Sequence, residues 1–209
     1  MTRLATNKIG KVLGNKGTET RSQLLEAARR LLLSKSPFSI SASAIAKEAG
    51  VSGPTFYVYF DDVEHIFWTL CDSITDDTMD LFADDSILRV PARLDDDALA
   101  LIRAYGDIWI RHGPVLLYRN LEGDRGNTRF SLLLTKTALP ILRGLTERIV
   151  EASVGGENLT RSEANAEAVV MIAAMDRVAA ALHVYPEQSL MPDVLQRAQA
   201  RVLARMLRR

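Results

Sequence analysis

The chain has 209 residues, 47% of them hydrophobic and 25% charged, with one cysteine and a formal net charge of zero. Such a chain holds one large or two small globular domains with a real core, and it is too apolar for a disordered one. No apolar run approaches the roughly 20 residues of a membrane span, the N-terminus lacks the apolar core of a secretory signal, and Cys71 alone forms no internal disulfide, so a cytoplasmic protein is expected.

The zero net charge hides an asymmetry. Residues 1–60 hold nine Lys or Arg against three Asp or Glu, a balance of +6, and residues 61–209 hold seventeen against twenty-three, a balance of −6. A basic head on an acidic body fits a head that meets phosphates. Residues 1–17 carry Arg3, Lys8, Lys11 and Lys16 with no acidic residue and no apolar period, and read as a disordered arm that settles along a nucleic-acid backbone. Thr20 and Gln23 read as a capping box opening a first helix, with Leu24, Ala28, Leu31 and Leu32 as its stripe. Pro37 closes that unit.

Ser41 to Phe60, SASAIAKEAGVSGPTFYVYF, reads as two short helices around a sharp turn. Ser41 caps the first, Gly50 takes the left-handed turn position, Ser52 caps the second and Pro54 sits in its first turn. Ala46, Gly50 and Phe56 have the small, turn and large-apolar spacing of a helix-turn-helix. Helix 4 follows over about Val63 to Phe82, with Asp61 and Asp62 at its positive end. LRVPARL is a connector. Helix 5 is expected over about Ala98 to Arg111, broken by Gly113-Pro114, and a short helix 6 over Val115 to Leu121. Helix 7 spans about Thr128 to Ser153 with a kink at Pro140, and Gly155-Gly156 ends it. Thr160 and Glu163 form a second capping box opening helix 8, Arg161 to Val184. Pro186 ends that helix, and Pro192 opens helix 9. No stretch alternates as a strand, so the fold class is all-α with about nine helices.

AIAKEAGVSGPTFYVYF, with its Thr55, Tyr57, Tyr59 and Phe60 run and the long helix after it, resembles the DNA-binding signature of the tetracycline-repressor (TetR) family of bacterial transcription regulators, over about residues 20–72. GPTFYVYF and Met175-Asp176-Arg177 also resemble the branch that represses an ethionamide-activating monooxygenase. The resemblance implies a basic arm (1–17), a three-helix DNA-binding head (18–62) and an effector-binding and dimerisation bundle (63–209). It places Ser41, Thr55, Tyr57 and Tyr59 at DNA-facing positions, with Ser43, Gly53 and Phe56 in the same interface. Hydroxyls would bond phosphates, and aromatic or methyl groups would touch thymine methyls. It also implies a pocket for a small hydrophobic effector around Tyr105, Trp109, Phe130, Met171, Ile172 and Met175, bulky residues at interior spacing that equally suit a plain core.

The small-residue surface of helix 8, with Ala173 and Ala180, lies in sequence beside Val194, Leu195, Ala198, Val202 and Met206 of helix 9. In the family the last two helices pair with their copies, and a homodimer also suits the few base pairs that one recognition helix reads. The family's frequent lysine at the start of helix 4 is Val63 here, and Gly53 offers no side chain to bases. His65, His112 and His183 lack metal-ligand spacing, and neither a nucleophile motif nor a phosphate-binding glycine loop is present, so neither an enzyme nor a cofactor is expected. The expected function is a ligand-responsive repressor acting on a double-stranded operator. The competing reading is a helical dimeric interaction or small-molecule-binding protein that no longer binds DNA specifically.

Overall fold

The computed structural model describes residues 12–82, 84–184 and 191–208, and its elements are helices joined by turns. In chain order they are α1 (Asn15–Ser34), α2 (Ala42–Glu48), α3 (Gly53–Tyr59), α4 (Val63–Ser73), α5 (Thr75–Met79), α6 (Leu94–Asp124), α7 (Thr128–Ser153), α8 (Arg161–Val184) and α9 (Pro192–Met206). The expected all-α class holds. The chain divides into two compact units, Met1–Ser73 with Pro114–Ser131, and Ile74–Gly113 with Leu132–Arg209.

The first unit grows from the apolar stripe of α1. Leu24, Ala27, Ala28, Leu31 and Leu32 are buried there with Ile45 and Ala46 of α2, Phe56 and Phe60 around α3, and Ile66, Phe67 and Leu70 of α4. From α6 the unit takes in Val115, Leu116 and Tyr118, and Phe67 meets the Tyr118 ring edge-on at 4.8 Å. Cys71 is fully enclosed here, its thiol 3.6 Å from the Val115 carbonyl, and burial pushes its pKa up to about 12. It is a small core residue, with no reactive thiolate.

The second unit packs α6, α7, α8 and α9 through Leu101, Ile102, Ile108 and Trp109, then Ile141, Leu145 and Ile149, then Met171 and Met175, then Leu203 and Ala204. Its connector is held by charge. The buried Arg148 donates to the Ile87 and Asp85 carbonyls at 3.2 and 2.9 Å, with its guanidinium over the Phe82 ring. Arg89 clamps Glu151 through two bonds of 2.8 Å. Leu88 holds a left-handed φ of 63°, unfavourable for a branched side chain. Its side chain is buried and its N–H donates to Asp97 at 3.0 Å, which offsets that strain.

Several boundaries differ from the sequence reading, for local reasons. The first helix opens at Asn15, inside the stretch read as the arm, because the Thr18 N–H already bonds the Gly14 carbonyl. The Thr20 hydroxyl is therefore no cap. It donates back to the Lys16 carbonyl at 2.9 Å. Helix 4 stops at Ser73 rather than Phe82: SITDDT is rich in short and β-branched polar residues, and Ser73 and Thr78 turn their hydroxyls onto the Leu70 and Thr75 carbonyls. The predicted helices 5 and 6 are one helix, running through Gly113-Pro114. An internal proline costs about 3 kcal/mol, and each buried Leu, Ile or Trp along α6 returns about 1.5–3 kcal/mol, so packing overrides the break. The carbonyl that loses its partner belongs to Ile110, an exposed residue. The second capping box forms as expected: the Thr160 N–H donates to Glu163 at 2.9 Å, and the Glu163 N–H donates back to the Thr160 hydroxyl. Pro186 lies outside the described residues.

Gly113 has a use that its reading as a breaker hides. A Cβ there would sit 2.2 Å from the His183 ring of α8, so only glycine lets that imidazole lie against α6. Gly113→Ala is expected to lower stability by about 1–3 kcal/mol through overpacking, despite alanine's better helix propensity. Urea unfolding of the two proteins checks this, and an equal or higher midpoint for the alanine variant would refute it.

Candidate nucleic-acid interface

The turn between α2 and α3 is built by hydrogen bonds that only a left-handed residue completes. Gly50 has φ +70°, its N–H donates to the Lys47 carbonyl at 3.1 Å, and the Val51 N–H reaches the Ala46 carbonyl at 2.9 Å. This is a Schellman closure. Ser41 caps α2, its hydroxyl oxygen accepting from the Ala44 N–H at 3.1 Å, which leaves the hydroxyl proton free to donate outward. Ser52 occupies the cap position of α3 without bonding the backbone. Its hydroxyl pairs with that of Thr55 at 2.7 Å, and the pair keeps one spare proton between them.

Side chains four apart face one way on a helix. Phe56 and Phe60 have no exposed surface and pack on each other at 5.7 Å, so α3 is nailed inward on that side. The opposite side presents Tyr57 and Val58, each 51% exposed, with Tyr59 half-buried beside them. Ser43 is exposed on α2, and a Cβ built on Gly53 would meet no atom of the chain. Of the expected contact residues, Ser41, Ser43, Gly53, Thr55, Tyr57 and Tyr59 all retain solvent exposure. Phe56 does not: with no surface to offer, it fills the angle between α2 and α3 and touches no ligand. Val58 escaped the sequence reading, although its place directly after Tyr57, on the side away from Phe56, was the available signal.

The charges around α3 are sorted. Arg30 is tied to Glu48 at 2.8 Å, and Arg29 lies 3.8 Å from Glu26. The two aspartates before α4 serve local structure: Asp62 accepts from the His65 N–H at 2.7 Å as a cap, and Asp61 lies 3.1 Å from the His65 ring. Arg21 of α1 is different. Its guanidinium lies over the Phe60 ring at 5.3 Å, half-buried, and burial lowers its pKa. Lys47 is exposed in the last turn of α2.

In the second unit, Tyr105, Trp109, Met171 and Met175 are buried and Ile172 half-buried. Tyr105 and Met175 share a crevice with Ile102, Val178, Leu182 and Gln196, whose internal volume is about 10 Å³, scarcely room for one water. The Tyr105 hydroxyl donates to Asp176 at 2.8 Å, and the enclosed Trp109 Nε1 has no hydrogen-bond acceptor among the described residues. Phe130 is not part of this set. It belongs to the first unit, where its ring meets Tyr118 edge-on at 5.4 Å, because α7 passes from one unit to the other after Ser131.

Of the residues expected at a subunit interface, Ala173, Val194 and Val202 are exposed, and Leu195, Ala198 and Met206 are partly so. Ala180 is buried within its own subunit and offers no contact surface. Val169 and Val170, missed in the sequence, are exposed and continue the stripe through Ala173 and Ala174 at helical spacing. Among the described residues no group of His, Cys, Asp and Glu is placed to hold a metal ion, and no helix is long and apolar enough to cross a membrane.

Comparison with known proteins agrees with this geometry. A family model for "Bacterial regulatory proteins, tetR family" matches residues 24–67. Over 58 residues, 28% of this chain, the sequence is 40% identical to the HTH-type transcriptional regulator EthR of Mycolicibacterium smegmatis, and the match spans 27% of that relative's length. Among solved structures, the fatty acid degradation regulator FadR from Bacillus halodurans aligns with a TM-score of 0.68 at 17% identity, over 93% of this chain and 97% of that one. A tetR-family transcriptional regulator from Streptomyces coelicolor aligns with a TM-score of 0.68 at 21% identity, over 93% and 82%. FadR from Bacillus subtilis, solved in complex with stearoyl-CoA, aligns with a TM-score of 0.66 at 18% identity, over 88% and 97%. The structural likenesses carry the fold over most of the chain, and the sequence matches identify a DNA-binding head of the tetR-family type at residues 24–67.

Proposed function

We propose that this protein is a sequence-specific DNA-binding transcription regulator, a cytoplasmic homodimer that represses until a small hydrophobic effector releases it. The observation that carries this reading is the two-sided α3: Phe56 and Phe60 fix it from within, and Tyr57 and Val58 stand out from it into solvent. A helix so held enters a major groove as a rigid unit. Tyr57 and Val58 then meet base edges and thymine methyls, while Ser41, Ser43, Thr55 and Tyr59 donate to phosphates on either side. Gly53 keeps the start of the helix bare, so the backbone approaches the duplex closely.

Two copies give the reading its specificity. The exposed stripe of Val169, Val170 and Ala173 on α8, with Val194 and Val202 on α9, is an apolar surface of the kind two helices bury against a second pair. The effector would enter beside Tyr105, Trp109 and Met175. A crevice of about 10 Å³ holds no such molecule, so binding requires α6, α8 and α9 to part. The ligand then selects that opened state, and it alters DNA affinity only as far as it prefers one state over the other. An acceptor on the ligand would satisfy the orphan Trp109 Nε1. The fatty-acyl ligand of the Bacillus subtilis neighbour supports a hydrophobic class. The competing interaction-protein reading rests on Val63 standing where the family often has a lysine, and DNA affinity separates the two readings.

Fluorescence anisotropy of the protein on DNA from upstream of its own gene, at two salt concentrations and against unrelated DNA, is expected to show tight, specific, salt-dependent binding. Equal weak binding to both would count against an operator there, and no binding at low salt would favour the interaction protein. Tyr57→Ala should weaken operator binding by about 1–3 kcal/mol with an unchanged melting point, whereas Phe56→Ala should cost about 3–5 kcal/mol of stability. If the two swap effects, the face assignment is wrong. Val170→Glu combined with Val202→Glu should convert a dimer to a monomer in sedimentation while helicity stays at the wild-type level; an unchanged mass would place the interface elsewhere.

A further inference from the structure

We propose that Arg21 of α1 is a DNA-phosphate contact at the C-terminal end of α3, supplying the cation that Val63 does not. The inference rests on the DNA-binding reading above and extends it to a residue on a helix outside the helix-turn-helix. Phe60 follows α3 directly and is fully enclosed, and the Arg21 guanidinium lies over its ring at 5.3 Å. Phe60 is held from another direction by the edge of His65, with ring centroids 5.5 Å apart. The arginine is thus seated on a fixed platform, with its planar fork ordered before any ligand arrives.

Arg29 and Arg30 on the same helix lie beside Glu26 and Glu48, and among the described residues no carboxylate stands within ion-pair distance of Arg21. The nearby aspartates are turned to other uses, Asp62 to the His65 N–H and Asp61 to the His65 ring. A half-buried guanidinium without a counter-charge loses hydration and gains nothing in return within the chain, apart from the ring beneath it. An anion at the open side of the fork restores the balance.

Position identifies that anion. α3 has seven residues, so it is about 10 Å long, close to the width of a major groove at roughly 12 Å. A helix of that length in the groove has each end near a phosphate wall. At its N-terminal end stand the hydroxyls of Ser52 and Thr55. At its C-terminal end Val63, Asp61 and Asp62 offer no cation, and Arg21 does. A guanidinium bonds phosphate oxygens in pairs, which fixes the register of α3 in the groove.

The test is the salt dependence of binding. Wild type, Arg21→Gln, Arg21→Met and Arg21→Lys are titrated by anisotropy on the duplex from upstream of the gene, over a range of salt concentrations, with melting points in parallel. Loss of one phosphate contact per subunit should flatten the slope of log affinity against log salt by about 2 per dimer for the glutamine and methionine variants. The methionine keeps an apolar stem over Phe60 and so guards against simple loss of packing. The lysine variant should keep close to the wild-type slope with a lower affinity, since it has the charge without the fork. A wild-type slope in folded glutamine or methionine variants overturns the contact and leaves Arg21 as a packing residue, with DNA binding itself intact. If the wild type binds neither this duplex nor an unrelated one at low salt, the DNA-binding reading falls and this contact falls with it.

Discussion

The enclosure of Phe56 and Phe60 is the constraint on which the head depends. A seven-residue helix is far too short to persist on its own in water. It exists because two aromatic rings, four residues apart, anchor one side of it into a core supplied by α1, α2 and α4. The same anchoring decides the orientation of the outer side. Tyr57 and Val58 face solvent because Phe56 and Phe60 cannot. The left-handed Gly50 sets the angle at which α2 hands the chain to α3, and a residue with a Cβ would strain that turn even though space around it is open. Fold and interface in this head are therefore one problem, solved by one turn and two rings.

Charge is handled with the same economy. The acidic pair before α4 looks adverse to a nucleic-acid partner when read as two free carboxylates. In the fold Asp62 is a helix cap and Asp61 the neighbour of an imidazole, so both act first on local structure. The second unit uses ion pairs differently. Arg148, buried with Phe82 against it, holds a connector through two backbone carbonyls, and Arg89 clamps the same connector to Glu151. A Cβ on Gly144 would come within 2.6 Å of the Phe82 ring, so the close seat of that ring on α7 depends on the missing side chain.

Much of this was legible from residue types and spacing. Ser41 as a cap, Gly50 as the turn, the Thr160–Glu163 box, the bounds of α7 and α8 and the start of α9 were readable because each is set by local chemistry within a few residues. What escaped was decided by partners distant in sequence. Gly113-Pro114 looks like a break until the buried residues on both sides of it along α6 are weighed against one lost hydrogen bond. Phe130 has the composition of a pocket residue, yet α7 assigns it to Tyr118 in the other compact unit. Ala180 has the size of an interface residue and Val170 does not, yet Ala180 is buried and Val170 exposed. Arg21 carries no motif signal at all. Its significance lies in an aromatic ring thirty-nine positions away in the chain.

The effector region was the least legible, and the reason is physical. A cluster of Tyr105, Trp109, Met171 and Met175 packs into a core or lines a cavity with equal ease, and sequence contains no term for empty space. In this conformation all four are buried, and the crevice that Tyr105 and Met175 line has barely a water's volume. Closed packing of that kind has a consequence for regulation. Parting α6, α8 and α9 gives up apolar contacts that stabilise the closed state, so an effector must replace them with apolar surface of its own. A small polar molecule lacks the surface to do so. The single orphan donor on Trp109 can orient a ligand but cannot open the helices. Under the proposed effector control at this core, hydrophobic bulk is what would replace those contacts.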